Sequence, residues 1–307
     1  MTWWEAVVLG VVQGLTEFFP VSSSGHLVMS QYLLGLSVPG IGFEVAVHVA
    51  TLISVLVVYR TRVWRLLRGC VGMEEESTWP YMLKLVLATI PAAVVGLAFE
   101  DWFEARFDDP AFAGTMLLVT GMVVWTSRWV REARMPKAIE LVPFLLAGIS
   151  AALFGTIWGF VVVALVLAAI FAIARLTTHP DWRPEPTWGG ALTMGVAQAT
   201  AILPGITRSG STVITGMWRR IDPVAAAEFS FLMSIPAILG AAVLSLPDLA
   251  TEGTTVGAVP LVLGFLAAAV AGILAIRWFV QLLAKQNFHV FAYYCWLAGT
   301  VFLVLQG

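Results

Sequence analysis

Two stretches of this chain repeat each other at an offset of 185 residues, and both put polar and charged groups inside strongly apolar surroundings. The first, 10–26, reads GVVQGLTEFFPVSSSGH; the second, 195–211, reads GVAQATAILPGITRSGS. Gly10 matches Gly195, Val11 matches Val196, Gln13 matches Gln198, Ser24 matches Ser209 and Gly25 matches Gly210. Glu17 and His26 occur only in the first copy, and Arg208 only in the second. Ionisable groups in a lipid environment are expensive and mark function by default. Two copies with complementary chemistry predict one site assembled from both halves.

The lipid environment follows from composition. The chain is 59% hydrophobic and 12% charged, against about 25% charged for a soluble domain. The net charge of −2 implies no polyanion binding, and there is no nucleic-acid motif. The N-terminus, MTWWEAVV, lacks the basic region of a cleaved signal peptide. Cys70 and Cys295 have neither disulfide nor metal-thiolate spacing. Tryptophans such as Trp3, Trp4, Trp79 and Trp102 suit interfacial belts.

About 20 apolar residues cross a bilayer as a helix. Spans are expected near 43–60, 81–99, 110–130, 226–246, 258–278 and 289–306. The run 141–174 carries no charge; as one helix it would be about 51 Å long, so it reads as a hairpin of two short passes. Arg60, Arg62, Arg65, Arg68, Arg128, Arg131, Arg134, Lys137, Arg175, Arg183, Arg219, Arg220, Arg277 and Lys285 then fall on one side, the cytoplasmic one. The opposite loops carry Glu100, Asp101, Glu104, Asp108, Asp109, Asp248 and Glu252, with Arg106 the one basic residue among them.

This assignment makes the second motif segment, 188–218, enter and return without crossing, and puts the end of the first, 2–36, outside; re-entrant by analogy with the second, the first also starts outside. Pro20 and Gly25 break the first, and Pro204, Gly205 and Gly210 the second. Five passes lie between them, so they enter from opposite faces. The expected fold is an all-α polytopic membrane protein of about eight full spans. It is an inverted-topology repeat with two re-entrant helical hairpins meeting near the membrane midplane. The chain is one integral-membrane domain: 1–137 is the first half, 138–187 an extra apolar hairpin and linker, and 188–307 the second half.

Irregular backbone at membrane depth persists only where it is buried in protein or lines a wet cavity. Each break exposes free N–H groups at the start of the next helix, an arrangement suited to phosphate. Arg208 adds a bidentate fork. Thr207, Ser209 and Ser211 can complete a cradle, as can Ser22 and Ser24 on the first turn. Glu17 and His26 are candidates for acid–base work and Ser23 for nucleophile. Glu17 is alternatively a ligand for a divalent cation (Mg²⁺ or Ca²⁺), with Gln13 one helical turn before it. His48 and His289 read as structural or interfacial. Glu44 and Glu228 suit helix N-terminal positions, and equally the border of the cavity.

QGLTEFFPVSSSGH and PGITRSG closely resemble the two signature regions of the undecaprenyl-diphosphate phosphatase family of the bacitracin-resistance type. The likeness extends to EFSFLMSIPAILG at 228–240 and to the order of most spans. It implies a membrane phosphatase that cleaves a polyprenyl diphosphate to the monophosphate and inorganic phosphate, recycling the lipid carrier of cell-wall synthesis and conferring bacitracin resistance. By motif match, Gln13 and Glu17 occupy the family's Glu/Gln-xxx-Glu positions, Ser23 and His26 its reactive serine and histidine, and Arg208 its phosphate-binding arginine. The first acidic position is Gln here, which weakens a two-carboxylate metal site. The expected partners are the polyprenyl diphosphate and membrane lipids in the cytoplasmic (inner) membrane, with no nucleic acid; a homodimer is left open. The hydroxyl-rich first hairpin opens outside in this topology, which favours a cavity open to the outer face. The rival reading is a lipid flippase or secondary transporter, since broken helices in inverted repeats also build transporters.

Overall fold

The structure, a computed structural model, describes residues 1–36, 40–74, 77–107, 109–132, 181–247, 256–284 and 288–306. These residues are helical, apart from turns and one isolated bridge between Arg183 and Ile221. Helices α1 (Trp3–Phe18) and α2 (Ser23–Leu33) carry the first motif. They are followed by α3 (Gly40–Val58), α4 (Arg60–Cys70), α5 (Trp79–Ala98), α6 (Glu100–Phe107), α7 (Pro110–Trp125) and α8 (Ser127–Glu132). Helices α9 (Trp188–Thr200) and α10 (Arg208–Trp218) carry the second motif. Then come α11 (Pro223–Leu244), α12 (Ala258–Ala284) and α13 (Val290–Gln306).

Among the described residues, four helices are long and apolar enough to cross a membrane: Trp79–Ala98, Pro110–Val130, Pro223–Leu244 and Ala258–Ala284. A fifth candidate is α3 with α4, bent by 77° where the apolar run gives way to Arg60, Arg62, Arg65 and Arg68. With the shorter apolar α13, these cover each expected span that falls on described residues, with ends within a few positions. The expected hairpin at 141–174 lies outside the described residues. The molecule is a multi-pass membrane protein, and its described residues are built from helices.

Small residues set how closely the helices approach. A Cβ at Gly10 would strike the carbonyl of Gly264, and one at Gly14 would come within 2.7 Å of the Ala271 Cβ and 2.8 Å of the Gly272 nitrogen. These contacts advance together, so α1 runs parallel to α12. In the second half, a Cβ at Gly195 would strike the carbonyl of Ala88, and Lys84 lies 6.0 Å over the Trp188 ring. Helix α9 therefore runs parallel to α5. Each motif helix thus packs on a long helix of the other half. Helices α7 and α13 pair antiparallel, from Trp125 against His289 at one end to Gly114 against Phe302 and Leu303 at the other.

Segments assigned to one side by charge meet at one end of the molecule. Arg62 pairs with Glu228 at 2.9 Å and Glu185 at 3.4 Å, Lys84 with Glu185 at 3.8 Å, and Arg62 lies 4.6 Å over the Tyr81 ring.

Replacing Gly14 with Leu should overpack the α1–α12 contact by about 1–3 kcal/mol. The readout is a lower unfolding temperature of purified protein in detergent. Gly240→Ala is the control, because a Cβ there meets nothing within 4 Å, and it should leave the transition where it is.

Candidate active site

Both motif helices stop at a sharp turn that the next helix leaves through a hydroxyl cap. After α1, Ser22 takes a left-handed backbone (φ 67°) and its Oγ accepts from the Gly25 amide at 3.3 Å. After α9, Gly205 has φ 95° and Thr207 Oγ1 accepts from the Gly210 amide at 3.2 Å. The left-handed geometry is natural for glycine and strained for serine.

The two turns abut. A Cβ on Gly25 would lie 3.2 Å from the Gly205 Cα, and one on Gly210 would lie 3.0 Å from the Pro20 Cβ. Ser209 donates its hydroxyl to the Phe19 carbonyl at 3.0 Å. Each turn is also held by a neighbouring helix. Thr120 on α7 donates to the Gly205 carbonyl at 2.7 Å and accepts from the Thr207 amide at 3.0 Å. The Cys295 thiol on α13 donates to the Pro20 carbonyl at 3.6 Å. Pro20 and Gly205 occupy matching positions of the repeat, so the two anchors are counterparts.

Glu17 lies where the turns meet and is 7% exposed. Its Oε1 accepts from Arg208 Nη2 at 2.6 Å. Its Oε2 accepts from the Ser23 hydroxyl at 2.6 Å and from Gln13 Nε2 at 3.0 Å. His48 Nε2 lies 3.9 Å from the same oxygen, while His48 Nδ1 donates to the Glu44 carbonyl at 2.7 Å. Arg208 Nη1 also donates to the Ser230 carbonyl at 3.4 Å. A buried carboxylate must be paired and hydrogen-bonded to be tolerated, and here the partners come from both motifs.

Glu17, Gln13, Ser23 and Arg208 thus lie together, brought in from both motifs. Ser22 and Thr207 serve as caps, Ser24 lies 3.3 Å from Ser22, and Ser209 is spent on Phe19. Ser211 is buried on α10. His26 is on the first turn, but its ring faces elsewhere. Nδ1 meets the Ser22 carbonyl at 2.8 Å, and Nε2 the Tyr294 hydroxyl at 2.7 Å.

His48 and Tyr294 were not expected at the site. For His48 a signal existed: Glu44, His48 and Thr51 form a polar stripe at helical spacing inside an apolar span. Tyr294 had none, being one aromatic among several on α13. Glu228 pairs with Arg62, away from Glu17.

Among the described residues no group of three or more His, Cys, Asp or Glu side chains could hold a metal. The oxygen donors at the turn still suit a hard cation: Gln13 Oε1 is buried without a hydrogen-bond partner, and the Nε2 of the same amide donates to the Glu17 carboxylate that Ser23 also meets. A Mg²⁺-type ion takes one or two carboxylates and fills its remaining positions from phosphates and water.

The model of one protein family, described as bacitracin resistance protein BacA, matches residues 6–153 and 138–301. The chain belongs to the BacA family. Its relatives share that length. An undecaprenyl-diphosphatase of Desulfatibacillum aliphaticivorans is 34% identical, over 99% of each chain. One of Halothermothrix orenii is 33% identical over 99% of this chain and 98% of its own. A third, from Carboxydothermus hydrogenoformans, is 33% identical over 100% and 98%. In this BacA-family chain, both signature regions are the turns that meet at Glu17.

Thr120→Val keeps the side-chain shape but strips the second turn of its anchor, leaving the Gly205 carbonyl and Thr207 amide unpaired. The expected cost is about 1–3 kcal/mol, with a lower unfolding temperature in detergent. Because Arg208 follows this turn directly, turnover should fall as well; unaltered stability and turnover would show that the anchor carries no weight.

Proposed function

We propose that this protein hydrolyses a polyprenyl diphosphate, undecaprenyl diphosphate by the name of its relatives, to the monophosphate and inorganic phosphate. This activity regenerates a cell-wall lipid carrier and confers bacitracin resistance. The observation that carries the reading is the shared carboxylate: Glu17 is held at 2.6 Å by Ser23 from one motif and at 2.6 Å by Arg208 from the other. A base on a hydroxyl, beside a guanidinium, suits phosphoryl transfer.

In the mechanism, Arg208 exchanges Glu17 for oxygens of the terminal phosphate, where its planar fork binds two at once. Free amides at the starts of α2 and α10 add donors. Glu17, relieved of the Arg208 guanidinium, takes the Ser23 proton on Oε2. Ser23 Oγ bonds to the terminal phosphorus while the bond from that phosphorus to the bridging oxygen breaks. Polyprenyl monophosphate leaves as a stable anion and needs no proton. Water then attacks the phosphoserine while Glu17 returns its proton to the departing Ser23 oxygen, releasing inorganic phosphate and restoring both the hydroxyl and the carboxylate. A divalent cation held by Glu17 and Gln13 would supply positive charge to offset the diphosphate.

The architecture we propose around this site is the inverted repeat, with both motif hairpins re-entrant from opposite faces, about eight spans and a cavity open to the outer face of the cytoplasmic membrane. The exchanged packing of α1 on α12 and α9 on α5 supports it, as does the matched anchoring by Thr120 and Cys295.

Phosphate release by purified protein in detergent tests the activity. Wild type should release phosphate from undecaprenyl diphosphate, lose turnover with a chelator and regain it with Mg²⁺ or Ca²⁺. Arg208→Ala should lose nearly all turnover. Ser23→Ala should do the same; residual activity of about a hundredth of wild type would favour direct attack by water, since acid–base help alone is worth about 10²–10⁴-fold. A chelator-insensitive enzyme would refute the cation.

Orientation has its own test. In otherwise cysteine-free protein, an impermeant thiol reagent on intact cells should label Glu104→Cys and spare Arg65→Cys. The reverse pattern would overturn the outward-facing cavity.

A further inference from the structure

His26 is the motif residue that the mechanism above leaves without a task, and its surroundings say what it does. A carbonyl oxygen can only accept, so the 2.8 Å contact with Ser22 puts the proton on His26 Nδ1. Nε2 then carries the lone pair in the neutral ring, and the Tyr294 hydroxyl at 2.7 Å must be its donor. The two rings stack with centroids 5.6 Å apart and planes 12° apart. His26 is 7% exposed, so neither nitrogen is turned to open water. Both ring nitrogens are committed, and neither hydrogen-bonds Ser23 or Glu17.

The group that His26 grips is the strained one. Ser22 is one of two non-glycine residues with positive φ among the described residues, at 67°. Such a conformation costs on the order of 1–3 kcal/mol and persists only where its surroundings over-determine it. The Ser22 carbonyl receives two N–H groups, the His26 backbone amide at 3.2 Å and its ring at 2.8 Å. The next residue is Ser23, whose hydroxyl must reach Glu17. Rotation of Ser22 toward an ordinary backbone would swing Ser23 away.

We propose that Tyr294 and His26 are positioning residues for the reaction: Tyr294 fixes the tautomer and orientation of His26, and His26 holds the Ser22 backbone in the conformation that presents the Ser23 hydroxyl to Glu17. Helix α13 therefore serves the first turn twice, through the thiol of Cys295 on Pro20 and the hydroxyl of Tyr294 on His26. This assignment rests on the phosphatase reading for its kinetic consequence, but not for its geometry.

A double-mutant cycle tests the kinetics. Tyr294→Phe keeps the stacked ring and removes the one donor to Nε2. It should lower kcat about tenfold, the scale of one lost hydrogen bond, with KM within about twofold and a modestly lower unfolding temperature, since Nε2 loses its donor. His26→Ala should lower kcat further, and Tyr294→Phe should then have no additional effect. The kcat–pH profile of Tyr294→Phe should fall uniformly with its limbs in place. Multiplying effects, an unchanged kcat in Tyr294→Phe, or a displaced limb would each overturn the proposal, the last by making His26 a proton carrier. Nitrogen NMR of isotopically labelled histidine gives a readout independent of activity. The resonances lost in His26→Ala should show a protonated Nδ1 and a bare, hydrogen-bonded Nε2, with Nε2 shifting in Tyr294→Phe. A proton on Nε2 in wild type would overturn the geometry whatever the enzyme's substrate. Absence of phosphate release with the expected tautomer would fault the phosphatase reading alone.

Discussion

The Glu17 carboxylate and the Arg208 guanidinium depend on each other. Either charge alone, buried in an apolar bundle, would cost several kcal/mol. Together they close an ion pair between residues 191 positions apart, so the hairpins that carry them must meet. Most of what surrounds them serves that meeting: the close contact of Gly25 with Gly205, the lean of Gly210 on Pro20, and the bond from Ser209 to Phe19. In the mechanism we propose, the arginine that clamps phosphate is neutralised at rest by the carboxylate that serves as base. A diphosphate would take over the arginine and leave the carboxylate free for the serine, so that binding and activation are one exchange of partners.

Broken helices leave backbone groups without partners, and in a bilayer water cannot repair the loss. Here side chains supply it. Ser22 and Thr207 cap the departing helices, while Thr120 and Cys295 reach in from α7 and α13 to bind the carbonyls of Gly205 and Pro20. The same two helices pair with each other along their length. The α7–α13 pair is thus a frame against which both turns are set, and Tyr294 extends it to His26.

The helices that enter to the site need close neighbours as well. Lipid tails are as apolar as leucine, so helix association in a membrane relies on packing and short approaches more than on the hydrophobic effect. Gly10 and Gly14 let α1 settle onto α12, and Gly195 does the same for α9 on α5. Each motif helix rests on the other half of the chain, which ties the two copies into one body around the shared carboxylate.

Much of this was legible in the sequence, for reasons of local physics. Apolar length marks spans, proline and glycine mark breaks, and an arginine or glutamate in such a run must find an opposite charge. The repeat therefore pointed to one site assembled from both copies, and the spans at α3, α5, α7, α11, α12 and α13 followed from hydrophobicity alone. The rest required the tertiary structure, because periodicity along a helix says which residues share a face and not what faces them. His48 sat in a readable polar stripe with Glu44 and Thr51, yet only the packing of α3 against the first hairpin set it 3.9 Å from Glu17. Tyr294 is 268 residues from His26, and Thr120 85 from Gly205. Nothing local distinguishes them from other aromatic and hydroxyl residues in apolar helices. The sequence could name His26 as important; only its two hydrogen bonds, to a strained serine carbonyl and a distant tyrosine, decided what it holds.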